Sequence, residues 1–520
     1  MPEYLHPGVY IEEIERGPKP VEGVPTSTAA FIGETERGPT KPQLVTSYKD
    51  YKRWFGGVFG DAKFMPHAVN GFFENGGKRM YVCRVIDDTA TAAEAAFGAN
   101  FTVRALGPGS WGKRIYTKIE DSSTTKPGAN NTMVPIGFRL RLAYYTTPPT
   151  QNPLDWFNDP RKPPFPAHSE RFDDLVTDEK SPDYWDKRLR DSSALATLVR
   201  ASSAPAAERP PNAFAQLATN GTDGAAALDV ADFQGAVQLP QRATPQGLAA
   251  LELDPYREVA LVYAPGAPVL VARAVIAHCE RLKFRFAVVD PEKSVTAASV
   301  GNFQPRGAIA DTQFAALYYP WIAVSDPETG ARKEIPPGGH VLGVYARTDT
   351  ERGVFKSPAN ETLRGVLELM ADTDDSTQDI LNPRGINAIR FFADRGIRVW
   401  GARTLTSDAL WKYVSVRRLF IFLERSIYEG TQWVVFEPND DRLWARVIDT
   451  IRLFLRTQWR LGALFGRTEE EAFFITCDRT TMTQDDILNG RLICEIGIAP
   501  VRPAEFVIFR IFQNTAEAQS

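Results

Sequence analysis

The residues able to do chemistry are few and widely spaced. The 520-residue chain holds four cysteines and five histidines. Cys83, Cys279, Cys477 and Cys494 stand far apart, in no CxxC and with no Cys/His spacing, so neither a disulfide framework nor a zinc site is indicated. They read as buried thiols of a reducing compartment. No histidine falls in HExxH and no serine in GxSxG, and a spatial Ser/His/Asp set is left open. GPGSWGKR, Gly107 to Arg114, satisfies the GxxxxGK part of a phosphate loop, but Arg114 stands where Ser or Thr should hold magnesium. RIYTKIE, which follows, alternates like a strand where a phosphate loop must open a helix. ADTDDSTQD, residues 371 to 379, gathers Asp372, Asp374, Asp375 and Asp379 without the glycine and glutamate of a calcium loop, and reads as a helix-capping turn. No cofactor is implied.

The elements around these residues are those of a multidomain α/β and α+β protein with mixed sheets and flanking helices. A chain of this length, 43% hydrophobic and 24% charged, can fill several cores. No apolar run reaches about 18 residues and the N-terminus lacks a basic, then apolar, leader, so neither membrane insertion nor cleaved secretion is expected. A formal charge of −4 gives no reason to expect nucleic-acid binding. REVALVYAPG, PVLVARAVIAHCERLK and FRFAVVD read as strand, helix and strand of a parallel sheet. IPPGGH reads as a tight bend between strands, with GVYAR as a core strand after it, and RGIRVWGARTL as a short strand between glycine turns. TTPPTQNPLDWFNDPRKPPFPAH and ASSAPAAERPP mark a loop-rich insertion.

Two further stretches concern association. EFVIFRIFQ, residues 505 to 513, is rich in aromatic and β-branched side chains and, after Glu505 at its start, carries a single charge inside it, Arg510. Such a segment either completes its own sheet or pairs with another molecule. Within residues 440 to 466, Leu443, Val447, Ile451 and Leu455 form one helical stripe, while Arg442, Arg446, Arg452, Arg456 and Arg460 gather on another face interrupted by Asp449. That basic face is either solvated and paired with nearby acids or turned towards a partner.

ALYYPWIAVSDPETGARKEIPPGGHVLGVYARTDTERGVFKSPANE, residues 316 to 361, and LNPRGINAIRFFADRGIRVWGARTL, residues 381 to 405, resemble signature blocks of contractile tail sheath proteins. HPGVYIEEI, residues 6 to 14, and ALGPGSWGKRI, residues 105 to 115, resemble the same family's N-terminal arm and PGxWG block. Gly339 and Lys113 depart from the usual Ser and Asn. The resemblance implies a structural subunit, not an enzyme, that polymerises as stacked sixfold rings around an inner tube and contracts to drive that tube through an envelope. The alternative from the residues alone is a strand-exchanged oligomeric hydrolase.

The resemblance further implies a domain plan. Residues 1–25 would be an N-terminal arm and linker, 26–97 with 246–383 an α/β core with the topology the family calls subtilisin-like, and 98–245 an outer insertion. Residues 384–500 would be a lumen-side polymerisation domain and 501–520 a C-terminal arm. Val9, Tyr10, Ile11, Glu12 and Ile14 at one end, and Phe506, Val507, Ile508, Phe509, Ile511 and Phe512 at the other, would add strands to neighbouring subunits. EGVP and APVRPA would be flexible linkers behind the arms, and the five arginines would face the tube. Implied partners are further copies of the chain, an inner tube protein, baseplate and terminal cap proteins, and sister sheath subunits. Assembly would occur in the producing cell's cytoplasm, for a phage tail or a released tail-like particle.

Overall fold

The computed structural model describes residues 21–128, 132–224, 227–235 and 246–510. The chain divides into two compact units, one spanning Pro25–Arg417 and the other combining Met1–Val24 with Arg418–Ser520.

The larger unit is built on a nine-stranded sheet. Its order is Glu361–Thr362, Gly396–Val399, Ile386–Phe392, Ala315–Tyr319, Phe286–Val289, Leu261–Tyr263, Ala29–Gly33, Met80–Arg84 and Gln43–Val45. The six inner strands, Ile386–Phe392 to Met80–Arg84, run parallel. AAFIG, MYVCR and AALYY are buried along their whole length, as strands covered on both faces must be. The expected β-α-β unit is present, with helix Val269–Leu282 between Leu261–Tyr263 and Phe286–Val289. Both sheet edges are short antiparallel strands, which limits edge-to-edge association.

Two sequence expectations differ in this unit. GVYAR lies in helix Gly338–Arg352 and not in a strand, and IPPGGH opens that helix rather than turning a hairpin. Residues 338–348 are all buried, so the segment has no polar face and its helical period is invisible in the sequence. Gly339 and Gly343 let this helix lie against Met65–Glu74. A Cβ at Gly339 would stand 2.6 Å from the Ala68 backbone, and one at Gly343 2.5 Å from the Phe72 carbonyl.

The core sheet also continues past residue 383. Ile386 pairs with Leu317, and the buried Asn387 amide donates to the Leu317 and Arg403 carbonyls at 3.0 and 2.8 Å. Residues 384–399 therefore belong to the central sheet.

The insertion is a β-sandwich with its own core, not loop decoration. It starts at Thr91, because Thr91–Phe97 pairs with Phe101–Ala105 and Thr219–Thr222. Phe97, Val103, Ile115, Leu140, Leu142 and Leu198 from its two four-stranded sheets meet in one cluster. The proline-rich stretch is packed as well, since Phe157 is buried against Tyr145 and Phe214.

The chemically capable motifs have structural roles. Residues 110–114 form a short 3-10 turn leading into strand Ile115–Asp121, and the buried Trp111 indole donates to the Pro108 carbonyl at 2.9 Å. Asp374 caps helix Asp375–Leu381, accepting from the Thr377 N–H at 2.7 Å. His278 Nε2 accepts from the Arg285 guanidinium at 2.6 Å, His67 meets Asp326 at 3.1 Å, and His340 is buried between helices. Burial lowers the pKa of all three, with neighbouring guanidinium charge adding to it at His278, which falls to about 3, while His340 falls to about 4.

The smaller unit joins the C-terminal part of helix Val414–Gly430 to the amphipathic helix Asp441–Arg460 and an antiparallel pair, Phe473–Thr476 with Glu495–Ile498. Asp440 caps the second helix through the Arg442 and Leu443 amides, and Phe422 packs on Phe454 at a ring separation of 5.9 Å. EGVP is docked here rather than loose. Val21 is buried, a Cβ at Gly430 would meet the Val21 side chain, and the Val24 N–H donates to Ser426 Oγ at 3.2 Å.

Candidate assembly surfaces

The C-terminal run leaves the smaller unit in two stages. Residues 499 to 501 are tied down: the Ala499 N–H donates to Ala472 O, Phe465 N–H to Ala499 O, and Val501 N–H to Ala463 O. The first half of APVRPA is therefore an anchor and not a linker. From Arg502 to Arg510 the chain enters no helix or strand. Phe506 is 72% exposed, Ile508 78% and Phe509 85%, with Val507 similarly open. Three of those four side chains are aromatic or Ile, residue types that fit a half-buried pleated surface, yet here they meet water. The reading in which EFVIFRIFQ completes its own sheet does not hold for 505–510. Ile511 and Phe512 lie outside the described residues, as do Val9, Tyr10, Ile11, Glu12 and Ile14 of the N-terminal arm.

The same unit holds a sheet short of strands. Phe473 pairs with Ile498, Phe474 with Gly497, Ile475 with Ile496 and Thr476 with Glu495. Neither outer edge of these two strands is joined by another strand among the described residues. A two-stranded antiparallel pair is marginal alone and gains from added strands. Phe473 is buried, whereas Phe474 on the opposite face is exposed and lies across Gly497, where a Cβ would collide with its ring. More than half of the large apolar side chains exposed among the described residues belong to this smaller unit, including Phe436, Phe465 and Leu488.

The basic helix face divides. The stripe of Leu443, Val447, Ile451 and Leu455 is buried, as its spacing predicts. Arg456 grips Glu469 with two N–H donors at 2.6 and 3.2 Å, and Arg452 reaches the same carboxylate at 3.6 Å. That guanidinium pair holds the Glu469 carboxyl below its ordinary range, chiefly through the Arg456 hydrogen bonds. Arg446 pairs with Glu437 at 3.5 Å and stacks over Trp433. Arg442 and Arg460 have no carboxylate within salt-bridge distance among the described residues. Half-exposed Leu453 shares the helix face with them, by the 3.6-residue period. Pairing with local acids thus accounts for Arg446, Arg452 and Arg456, and leaves Arg442 and Arg460 available.

Comparison with known proteins bears on these surfaces. Residues 241–405 match the phage tail sheath protein central domain, and residues 406–514 the phage tail sheath C-terminal domain, so the two matches together take in more than half of the chain. A prophage major tail sheath protein of Pseudomonas aeruginosa is 27% identical over 259 residues, 48% of this chain and 64% of that one. The tail sheath protein of Burkholderia phage BcepMu is 24% identical over 485 residues, 89% of this chain and 88% of that one. The Pseudomonas match thus takes in less than two thirds of that relative's length. Among solved structures, the sheath complex of the extracellular contractile injection system PVC, in its contracted state, aligns with TM-score 0.59 and 25% identity over 100% of both chains. The helical sheath of the anti-feeding prophage, also contracted, aligns with TM-score 0.58 and 25% identity over 98% of this chain and 99% of that one.

Proposed function

The chain belongs to the phage tail sheath protein family, and from that premise we propose that it is the structural subunit of a contractile sheath, polymerising around an inner tube. The observation that carries the reading is the coexistence, in one unit and among the described residues, of an exposed apolar stretch, Phe506 to Phe509, and a two-stranded sheet that no further strand joins. Each is unfinished alone and complementary to the other in a neighbouring copy. Residues 505–512 of one subunit would add to the Phe473–Thr476 and Glu495–Ile498 pair of the next, with main-chain hydrogen bonds supplying affinity and alternating side chains the register.

The N-terminal arm, Val9 to Ile14, would occupy a second edge. The tie at 499–501 sets where the exchanged segment begins, so swing between rings would occur at Arg502 to Ala504. Stacked rings held by such strands can change pitch without losing connection, which is the property contraction requires. Arg442 and Arg460 would meet an acidic tube surface, and baseplate and cap proteins would close the ends of the polymer. The role is mechanical, with energy stored in the extended lattice rather than drawn from a cofactor.

The test replaces Ile508 with proline, which removes one ladder N–H and restricts the backbone. The expected outcome is loss of long cylinders in negative-stain micrographs with an unchanged melting transition of the free chain. Cylinders of normal length from this variant would overturn strand exchange through the C-terminal arm.

A further inference from the structure

We propose that Cys477 and Cys494 form a dithiol/disulfide site that staples the Phe473–Thr476 and Glu495–Ile498 pair. The two strands pair so that Thr476 stands opposite Glu495, and one further step places Cys477 opposite Cys494. The hydrogen-bond alternation then fixes the kind of pair. The Ala499 N–H donates to Ala472 O, which makes 472 and 499 a hydrogen-bonded pair. Counting along an antiparallel ladder, 473/498, 475/496 and 477/494 are the non-hydrogen-bonded positions. There the Cα atoms approach to about 4.5 Å and the side chains lie closest, within the Cα range of about 4.4–6.8 Å that a disulfide tolerates.

Side-chain environment agrees. Cys477 is buried on the face that also buries Phe473, and Cys494 is half-buried across from it. The two thiols are near enough for each to influence the other's ionisation. Burial raises the Cys477 pKa, and burial followed by the Cys477 charge pushes Cys494 up to about 12. Both cysteines are therefore thiols at neutral pH, slow to react, and paired by geometry rather than by reactivity. Just beyond them the two strand ends are held together, since the Thr481 hydroxyl donates to the Ile493 carbonyl at 2.9 Å. Cys83 and Cys279 are buried within the larger unit and separate from this pair.

The chemistry balances with a small-molecule disulfide as oxidant. The partly exposed Cys494, as thiolate, attacks oxidised glutathione, forming a mixed disulfide and releasing one glutathione thiolate. The Cys477 thiolate then attacks the Cys494 sulfur, forming the protein disulfide and releasing the second glutathione. Two cysteine protons leave, the dithiol loses two electrons, and one glutathione disulfide becomes two thiols. A bond at this position closes the 478–493 loop and fixes the two strands in register. Its consequence for assembly rests on the reading of this strand pair as an acceptor: a particle leaving a reducing cell would acquire a covalent clamp on each acceptor.

The test incubates the full chain with oxidised glutathione at pH 8.5, alkylates remaining thiols, and maps peptides without reduction. The expected result is a peptide containing Cys477 linked to one containing Cys494, with Cys83 and Cys279 unlinked. Oxidation should also slow amide exchange across Phe473–Thr476 and Glu495–Ile498 and raise the melting of the smaller unit by several degrees, effects that Cys477→Ser removes. Glutathione remaining on Cys494, or a link that forms only in denaturant, would overturn the site. A linked chain whose cylinders match those of the reduced chain would leave the disulfide standing and count against the acceptor role instead.

Discussion

The two units handle strand edges in opposite ways. The nine-stranded sheet of the larger unit surrounds its parallel strands with neighbours and ends in short antiparallel strands, Gln43–Val45 and Glu361–Thr362. Among its described residues the smaller unit has one sheet of two strands, and Phe506 to Phe509 are exposed to water. The first arrangement is complete within one chain. The second makes sense in a polymer, where free-energy gain is withheld from folding and kept for association.

The sharpest way to break this contrast is to remove one phenylalanine from each side. Phe31 is fully buried, with the Phe72 ring 5.6 Å away and the Tyr263 ring 5.1 Å away. Phe31→Ala should destabilise the free chain by roughly 3–5 kcal/mol, read by denaturant melts of the larger unit. Phe509→Ser, at an equally apolar position in sequence terms, should change the same melt by less than about 0.5 kcal/mol while reducing cylinder length. Comparable melting losses for both would mean that the C-terminal segment already packs in the monomer.

Acid separates the units by chemistry. His67, His278 and His340 all belong to the larger unit, and each is held neutral by burial. Their folded pKa values lie below the unfolded value, so the stability they contribute is present above about pH 6.5 and is lost as pH falls towards about 4, the unfolded chain binding more protons in that window. Asp290 opposes them. Burial raises its pKa to about 6 against the Tyr263 and backbone hydrogen bonds, so below pH 6 the folded state gains a proton there. Each group changes stability by at most about 1.4 kcal/mol per pH unit, and three histidines outweigh one aspartate. Between pH 7 and 4.5, amide exchange should therefore accelerate in Val269–Leu282 and Gly338–Arg352 before it does in Asp441–Arg460. The reverse order would show that the smaller unit's carboxylates with lowered pKa, Glu469 among them, outweigh the buried histidines of the larger unit.

What the sequence disclosed follows the same division. Runs whose burial is uniform and whose ends are marked, LVY, FAVV and the helix between them, were legible from period and length. GVYAR was not, because a helix buried on every side shows no face. Proline counts signal loops in the insertion, while its sandwich core is spread over short strands, with Phe97, Ile115, Leu140 and Leu198 far apart in sequence. The C-terminal run is legible as an apolar stretch, while strand exchange by either arm is what the family resemblance implies. The cysteine pair was hidden by sequence distance, although once the pairing of Phe473 with Ile498 is known, the constant sum of paired residue numbers points straight to it.

The smallest expected effect concerns the basic helix face. Reversing Arg452 or Arg456 would set two acids together at Glu469 and confuse a fold effect with a binding effect. Arg442 and Arg460 avoid this, having no carboxylate partner among the described residues and lying on one face with Leu453. An Arg442→Glu and Arg460→Glu double variant should leave the melting transition within about 0.5 kcal/mol, because exposed unpaired charges contribute little to a fold. Contact with an acidic tube would be weakened, most at low ionic strength, where the Debye length reaches about 30 Å at 0.01 M salt and about 10 Å at 0.1 M. The measurement is co-sedimentation of sheath with preformed tubes across that salt range. A difference between variant and native chain that shrinks as salt rises supports the tube-facing assignment. Identical loading at 0.01 M salt would place the two arginines on another surface, and would confine the unfinished character of the smaller unit to its strands.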